Sequence, residues 1–224
     1  LVRSEGPLRI NVGGYTRASS QNIIFTNSKW RKIQSPLIWP ISEFYGHWAV
    51  DHLYGKAING YGYVVTLAHK VYRFNPAALE WTEISSENPA ISFPHSSAEV
   101  IAGDSLYLIS GYECYSRDII RLYSPLSNTW RLIPEGPYNQ MGVGFYLNGK
   151  IYFGLDNYSW SGIFYQSDIQ DNYKWTRIGD FPEQVPSRFS TYFTSGNRGY
   201  VLFARGALWE FNPGTLGWTR KNNF

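Results

Sequence analysis

Apolar residues along this chain come in short runs broken by glycine, asparagine and proline, and no stretch sustains the 3.6-residue spacing of an amphipathic helix. The clearest runs carry a tyrosine: GYGYVVT (60–66), DSLYLIS (104–110), GKIYFGL (149–155) and NRGYVLF (197–203), with LRINVGGY (8–15) in the same place near the start. A second set follows each of the last four, KVYRF, IIRLY, GIFYQ and ALWEF, rich in aromatic and β-branched residues. Both sets predict strands. Their lack of clean apolar–polar alternation predicts sheets covered on both faces.

The runs recur with a period. Trp30, Trp81, Trp130, Trp175 and Trp218 are each followed by Thr or Arg and stand 51, 49, 45 and 43 residues apart. Pro76, Pro125 and Pro213 each precede their tryptophan by five residues, in VYRFNPAALEW, IRLYSPLSNTW and LWEFNPGTLGW, where proline sets φ for a turn between a third and a fourth strand. The tryptophan then enters the fourth strand and packs between units. A unit of four short strands near 45 residues cannot bury both faces of its sheet alone, and stacking such units in a ring solves the problem. The chain is therefore read as one all-β domain, a β-propeller over residues 1–224, with units at roughly 1–40, 41–90, 91–134, 135–182 and 183–224.

An apolar strand, a tyrosine strand, a proline turn and a tryptophan, in that order, resemble the kelch repeat. The glycine pair that ends the first kelch strand stands intact as Gly13–Gly14 and is reduced to Ser110–Gly111; no Trp-Asp dipeptide of the WD-repeat kind occurs. The resemblance covers nearly the whole chain and implies a degenerate, galactose-oxidase-type kelch propeller. Such propellers more usually have six or seven blades. Five tryptophans thus leave two expectations open, a ring closed by five blades or the final part of a longer ring.

Composition narrows the function. Aromatic residues make up 18% of the chain and charged residues 17%, and the net charge of +3 is scattered, which argues against nucleic acid as a partner. Cys114 is the only cysteine, so neither an intrachain disulfide nor a cysteine-based zinc site is possible. No run is long and apolar enough to insert in a membrane, and LVRSEGPLRI lacks the layout of a signal peptide. The style of the repeats resembles bacterial extracytoplasmic kelch-like proteins, which implies an extracytoplasmic or cell-surface location and a monomeric domain within a longer chain.

In a four-stranded antiparallel blade, the loops joining strand two to three and strand four to the next blade leave from one end. Functional variation collects there. From tyrosine to tryptophan takes 18 residues in the units of Tyr63 and Tyr200 but 23 in those of Tyr107 and Tyr152, so the third and fourth units carry longer loops. These loops hold Tyr112, Tyr115, Arg117, Asp156, Tyr158 and Trp160; the connections between units add Trp48, His95 and Arg188. Aromatic faces beside such polar groups suit sugar rings or aromatic-anchored peptides. Catalytic signals are poor: His47, His52, His69 and His95 are spread out without metal-site spacing, and there is no nucleophile elbow or phosphate loop. The leading expectation is a recognition module without cofactor or metal, binding a glycan or a protein. A carbohydrate-active enzyme using Arg117, Asp156, His95 and Arg188, and a passive spacer, are the alternatives.

Overall fold

Two-residue turns set the frame of the molecule. Asn59–Gly60 and Asn148–Gly149 both hold positive φ at both positions, the I′ geometry that suits the twist of a hairpin, and Gly103 and Gly196 supply positive φ at the first position of two further hairpins. In the computed structural model, which describes residues 21–26, 29–34, 54–65, 70–84, 97–109, 119–133, 136–137, 142–156, 160–185, 189–203 and 206–223, these turns join the first and second strands of four sheets.

The chain divides into two units, Leu1–Phe93 and Pro94–Phe224. In the first, β1 (Gln21–Thr26) and β2 (Lys29–Gln34) form a hairpin, and β3 (Tyr54–Ile58), β4 (Tyr61–Val65), β5 (Val71–Asn75) and β6 (Glu80–Ile84) form a four-stranded sheet in sequence order. The second holds three more such sheets. They are β7 (Ala98–Ala102), β8 (Ser105–Ile109), β9 (Ile120–Ser124) and β10 (Thr129–Ile133); β11 (Val143–Leu147), β12 (Lys150–Asp156), β13 (Ser161–Asp168) and β14 (Trp175–Asp180); and β15 (Phe189–Ser195), β16 (Arg198–Phe203), β17 (Ala207–Asn212) and β18 (Gly217–Asn223). All pairings are antiparallel. The fold is that of a kelch-like β-propeller, all-β, with four complete blades and no helix among the described residues.

The turns between third and fourth strands follow one recipe. Asn75 Oδ1 accepts from the backbone N–H of Ala77 and Ala78, and Asn212 Oδ1 from that of Gly214, so the residue before the proline caps the turn. The turn closes on a left-handed residue: Leu79, Asn128 or Leu216, at φ 58°, 51° and 54°. In the β13–β14 turn the proline is gone and one residue is added. Asp168 Oδ1 still caps it through the N–H of Gln170, and both Asn172 and Tyr173 are left-handed.

Register explains the tyrosine and tryptophan period. Val100–Tyr107–Leu122–Arg131 and Phe145–Tyr152–Gln166–Thr176 are rows of directly opposed residues running across β7–β10 and β11–β14. One residue along lie the rows Tyr146–Ile151–Ser167–Trp175 and Thr194–Gly199–Phe211–Trp218, pointing to the other side of their sheets. Tyr107 and its row join Ile151 and Trp175 in one core, and Phe145 and Tyr152 join Phe211 and Trp218 in the next. Tyr107 and Tyr152 thus face the following blade, and Trp175 and Trp218 the preceding one. The Tyr192 hydroxyl accepts a hydrogen bond of 2.8 Å from the backbone N–H of Glu99, tying β15 to β7 past β11.

Candidate functional site

Strand order places the β12–β13 loop, the β16–β17 loop and the β14–β15 connection at one end of the second unit's blades, opposite the tight turns. Here β12 bulges. Leu155 takes φ 61°, the register slips between Gly154 and Asp156, and a side chain on Gly154 would run into the carbonyl of Ile163. The bulge turns Asp156 inward: it is the last residue of β12, opposite Ser161, and only 3% exposed. Asp156 therefore stands in a strand end, away from solvent, where the sequence reading had a loop residue facing a ligand.

Trp160 has the reverse environment. It lies in the turn just before β13, 48% exposed, with φ 60°. A left-handed tryptophan costs about 1–2 kcal/mol relative to ordinary backbone. The turn leads straight into β13, where the Ser161 hydroxyl accepts from the N–H of Ile163 at 3.4 Å and the Gly162 carbonyl accepts from the N–H of Phe181 at 2.8 Å. That second bond prolongs the β13–β14 ladder by one step, from Gly162 near the start of β13 to Phe181 just after β14. Phe181 then sinks among Phe203, Trp209 and Trp218, with ring centroids 4.7–5.6 Å away, while Pro182, Glu183 and Gln184 stay exposed. Glu183 pairs with Arg220 at 3.6 Å.

Other exposed large apolar side chains among the described residues sit elsewhere. Tyr61, Leu79, Leu126 and Leu216 lie at or beside tight turns, and Leu132 and Phe193 lie within strands. Trp160 is the one at the loop end. Trp48, His95, Tyr112, Tyr115, Arg117, Tyr158 and Arg188 lie outside the described residues. Among the described residues no group of His, Cys, Asp and Glu could hold a metal ion. Trp130 is buried on Tyr123, and Trp81, Trp175 and Trp218 are partly buried on Phe74, Phe153 and a set of phenylalanines; Trp30 stands in β2.

A second cluster went unread in the sequence. Tyr173, the product of the lengthened β13–β14 turn, reaches the neighbouring blade, where its hydroxyl accepts from Arg131 Nη2 at 2.9 Å and lies 3.5 Å from the Tyr107 hydroxyl. Arg131 also stacks over the Tyr173 ring at 5.6 Å. Burial, then the bond to Tyr173, pushes the Tyr107 phenol well above its usual range. The signal was seven residues from Asp168 to Trp175, against six from Asn75 to Trp81 and from Asn212 to Trp218.

No family model matches the chain. A kelch domain-containing protein of Sulfurisphaera tokodaii is 30% identical over 125 residues, which span 54% of this chain and 17% of that protein. Among solved structures, YjhT superposes with a TM-score of 0.63 at 15% identity, over 77% of this chain and 65% of its own. YCF48 bound to D1 peptide superposes with a TM-score of 0.55 at 14% identity, over 99% of this chain and 69% of its own. The kelch match and the four-stranded blades agree with the repeat read in the sequence.

Proposed function

We propose that this kelch-like propeller is a non-catalytic recognition module whose loop end binds an extended segment of a partner protein, with Trp160 as the anchor. The observation that carries the reading is the exposed indole of Trp160, held on left-handed backbone in the turn that leads into β13. A fold gains nothing from an exposed tryptophan in the left-handed region, whereas a binding surface gains a large, rigid stacking face at low entropic cost. The exposed polar groups of the β14–β15 connection, Glu183, paired with Arg220, and Gln184, suit backbone and side-chain contacts of a peptide. YCF48, a propeller-like neighbour solved with a peptide, is a precedent for the fold in this role.

Screening the chain against peptide and glycan arrays, then titrating the best peptide into Trp160→Gly, tests the proposal. Glycine accepts φ 60° without strain, so the variant melts at or slightly above the parent temperature while peptide affinity falls about tenfold or more. Unchanged affinity, or binding to glycans alone, contradicts it.

A further inference from the structure

In all four blades the fourth-strand tryptophan is opposed by a residue of the third strand, and in three of them that residue is aromatic. Phe74 opposes Trp81, Tyr123 opposes Trp130 and Phe211 opposes Trp218, with ring centroids 5.0, 4.9 and 5.1 Å apart. The β11–β14 blade departs from this rule. Ser167 opposes Trp175, and the tryptophan meets Phe153 of β12 edge-on instead, at 6.3 Å.

A hydroxyl fits poorly in this setting. Ser167 is 1% exposed, and Ile151 and Trp175, its neighbours in the row, belong to the core shared with Tyr107, Leu122 and Ile133. Ser167 Oγ and Trp175 Nε1 are both shut off from solvent, and neither has a hydrogen-bond partner among the described residues. The lengthened β13–β14 turn brings Ile169 and Tyr173 onto the same core, but the Tyr173 hydroxyl is already engaged by Arg131 and Tyr107. Trp81 Nε1 is buried without a partner too, yet the residue opposite it, Phe74, offers no polar atom.

At Ser167 and Trp175 two such groups face each other. The indole N–H can only donate, the hydroxyl can donate or accept, and their Cβ atoms stand about 5 Å apart on adjoining strands. Buried polar groups left unpaired are costly, and native proteins satisfy them with ordered water where the site is polar and roomy enough. A serine in place of a phenyl ring leaves more than the roughly 30 Å³ that one water takes up.

We propose that Ser167 and Trp175 form a water-binding site, in which one ordered water accepts from the Trp175 Nε1–H and donates to Ser167 Oγ. This water joins β13 to β14 on the side that packs against the β7–β10 blade, in the position that an aromatic ring holds in the other three blades.

Nuclear magnetic resonance of the full chain tests this. The indole N–H signal of Trp175, assigned by its loss in Trp175→Phe, is expected to show a rotating-frame Overhauser effect to a long-lived water, and Ser167→Ala is expected to abolish it. A crystal structure is expected to place the water within about 3 Å of both atoms. Ser167→Ala removes one of the water's two anchors and is expected to melt on the order of 2–4 °C lower than the parent. A dry site reverses that sign: the variant sheds an unpaired hydroxyl and melts higher, and the Trp175 signal shows no water contact. Either result overturns the proposal. So does a crystal structure in which Ser167 Oγ bonds directly to Trp175 Nε1.

Discussion

The two ends of the blades obey different rules. At the turn end, two-residue Asn–Gly or Gly-first turns and four-residue Asx-capped turns return the chain on itself, and each residue there answers to the register of the strands it joins. At the loop end, the connections from β12 to β13 and from β14 to β15 vary in length, bulge, and hold one exposed left-handed tryptophan. Exposure alone does not distinguish the ends, since Leu126 at a tight turn is 87% exposed, more than Trp160. The difference lies in what the backbone endures for the side chain. Asn128, the left-handed residue beside Leu126, is of a type that tolerates that region, and its side chain accepts from the Tyr123 hydroxyl at 2.9 Å, so the turn has a reason internal to the blade. Trp160 has none, which points outward.

If the turn end is scaffold, removing what hangs from it costs stability first. Trp130 follows the Pro125–Asn128 turn and is buried against Tyr123, with ring centroids 4.9 Å apart. Trp130→Ala is expected to lower unfolding free energy by about 3–5 kcal/mol in urea titration; a variant as stable as the parent would break the comparison at its strongest point.

The Tyr173 clasp sharpens it with pH. Tyr107 has its phenol raised in the folded state above its ordinary value of 10.0, so an unfolded chain releases that proton first as pH rises. The stability it contributes is complete below pH 10 and declines above it. Tyr107→Phe is expected to flatten this alkaline decline in thermal melts between pH 9 and 11, and an unaltered slope would show that the clasp carries no such linkage. Burial raises Tyr152 as well, so the decline is reduced rather than lost.

Smaller still is the turn strain itself. Leu216 holds φ 54° on an exposed turn, and Leu216→Gly is expected to stabilise the chain by about 1 kcal/mol, read as a rise in melting temperature. The smallest effect belongs to Leu126→Ser, which should leave stability within about 0.5 kcal/mol and ligand affinity unchanged. A loss of binding there would move the recognition surface to the turn end.

Much of this architecture was legible before any coordinates. The last four tyrosine runs are the second strands, the following aromatic runs are the third, and Pro76, Pro125 and Pro213 open the turns before the fourth, while the run at 8–15 with Gly13–Gly14 lies outside the described residues. The first strands were not, because YGKAI, AEVIA, VGFYL and FSTYFTS share no common mark; they are defined by pairing with the second strands. That tyrosine faces forward and tryptophan backward depends on register, which periodicity does not contain. At the site, Trp160 was visible as a loop aromatic, but its left-handed backbone was not, since only glycine and asparagine advertise that region. Asp156 was misplaced because the bulge at Leu155 pulls the end of β12 inward, and nothing in LDN signals a bulge.

The central claim, that partners meet the loop end, is tested most directly by hydrogen exchange of the full chain with and without its best-binding peptide. The account predicts slowed exchange at Trp160–Ile163 and Phe181–Val185, with the Pro125–Asn128 and Pro213–Leu216 turns unchanged. Protection confined to those turns, with Trp160–Ile163 exchanging as in the free chain, would contradict it.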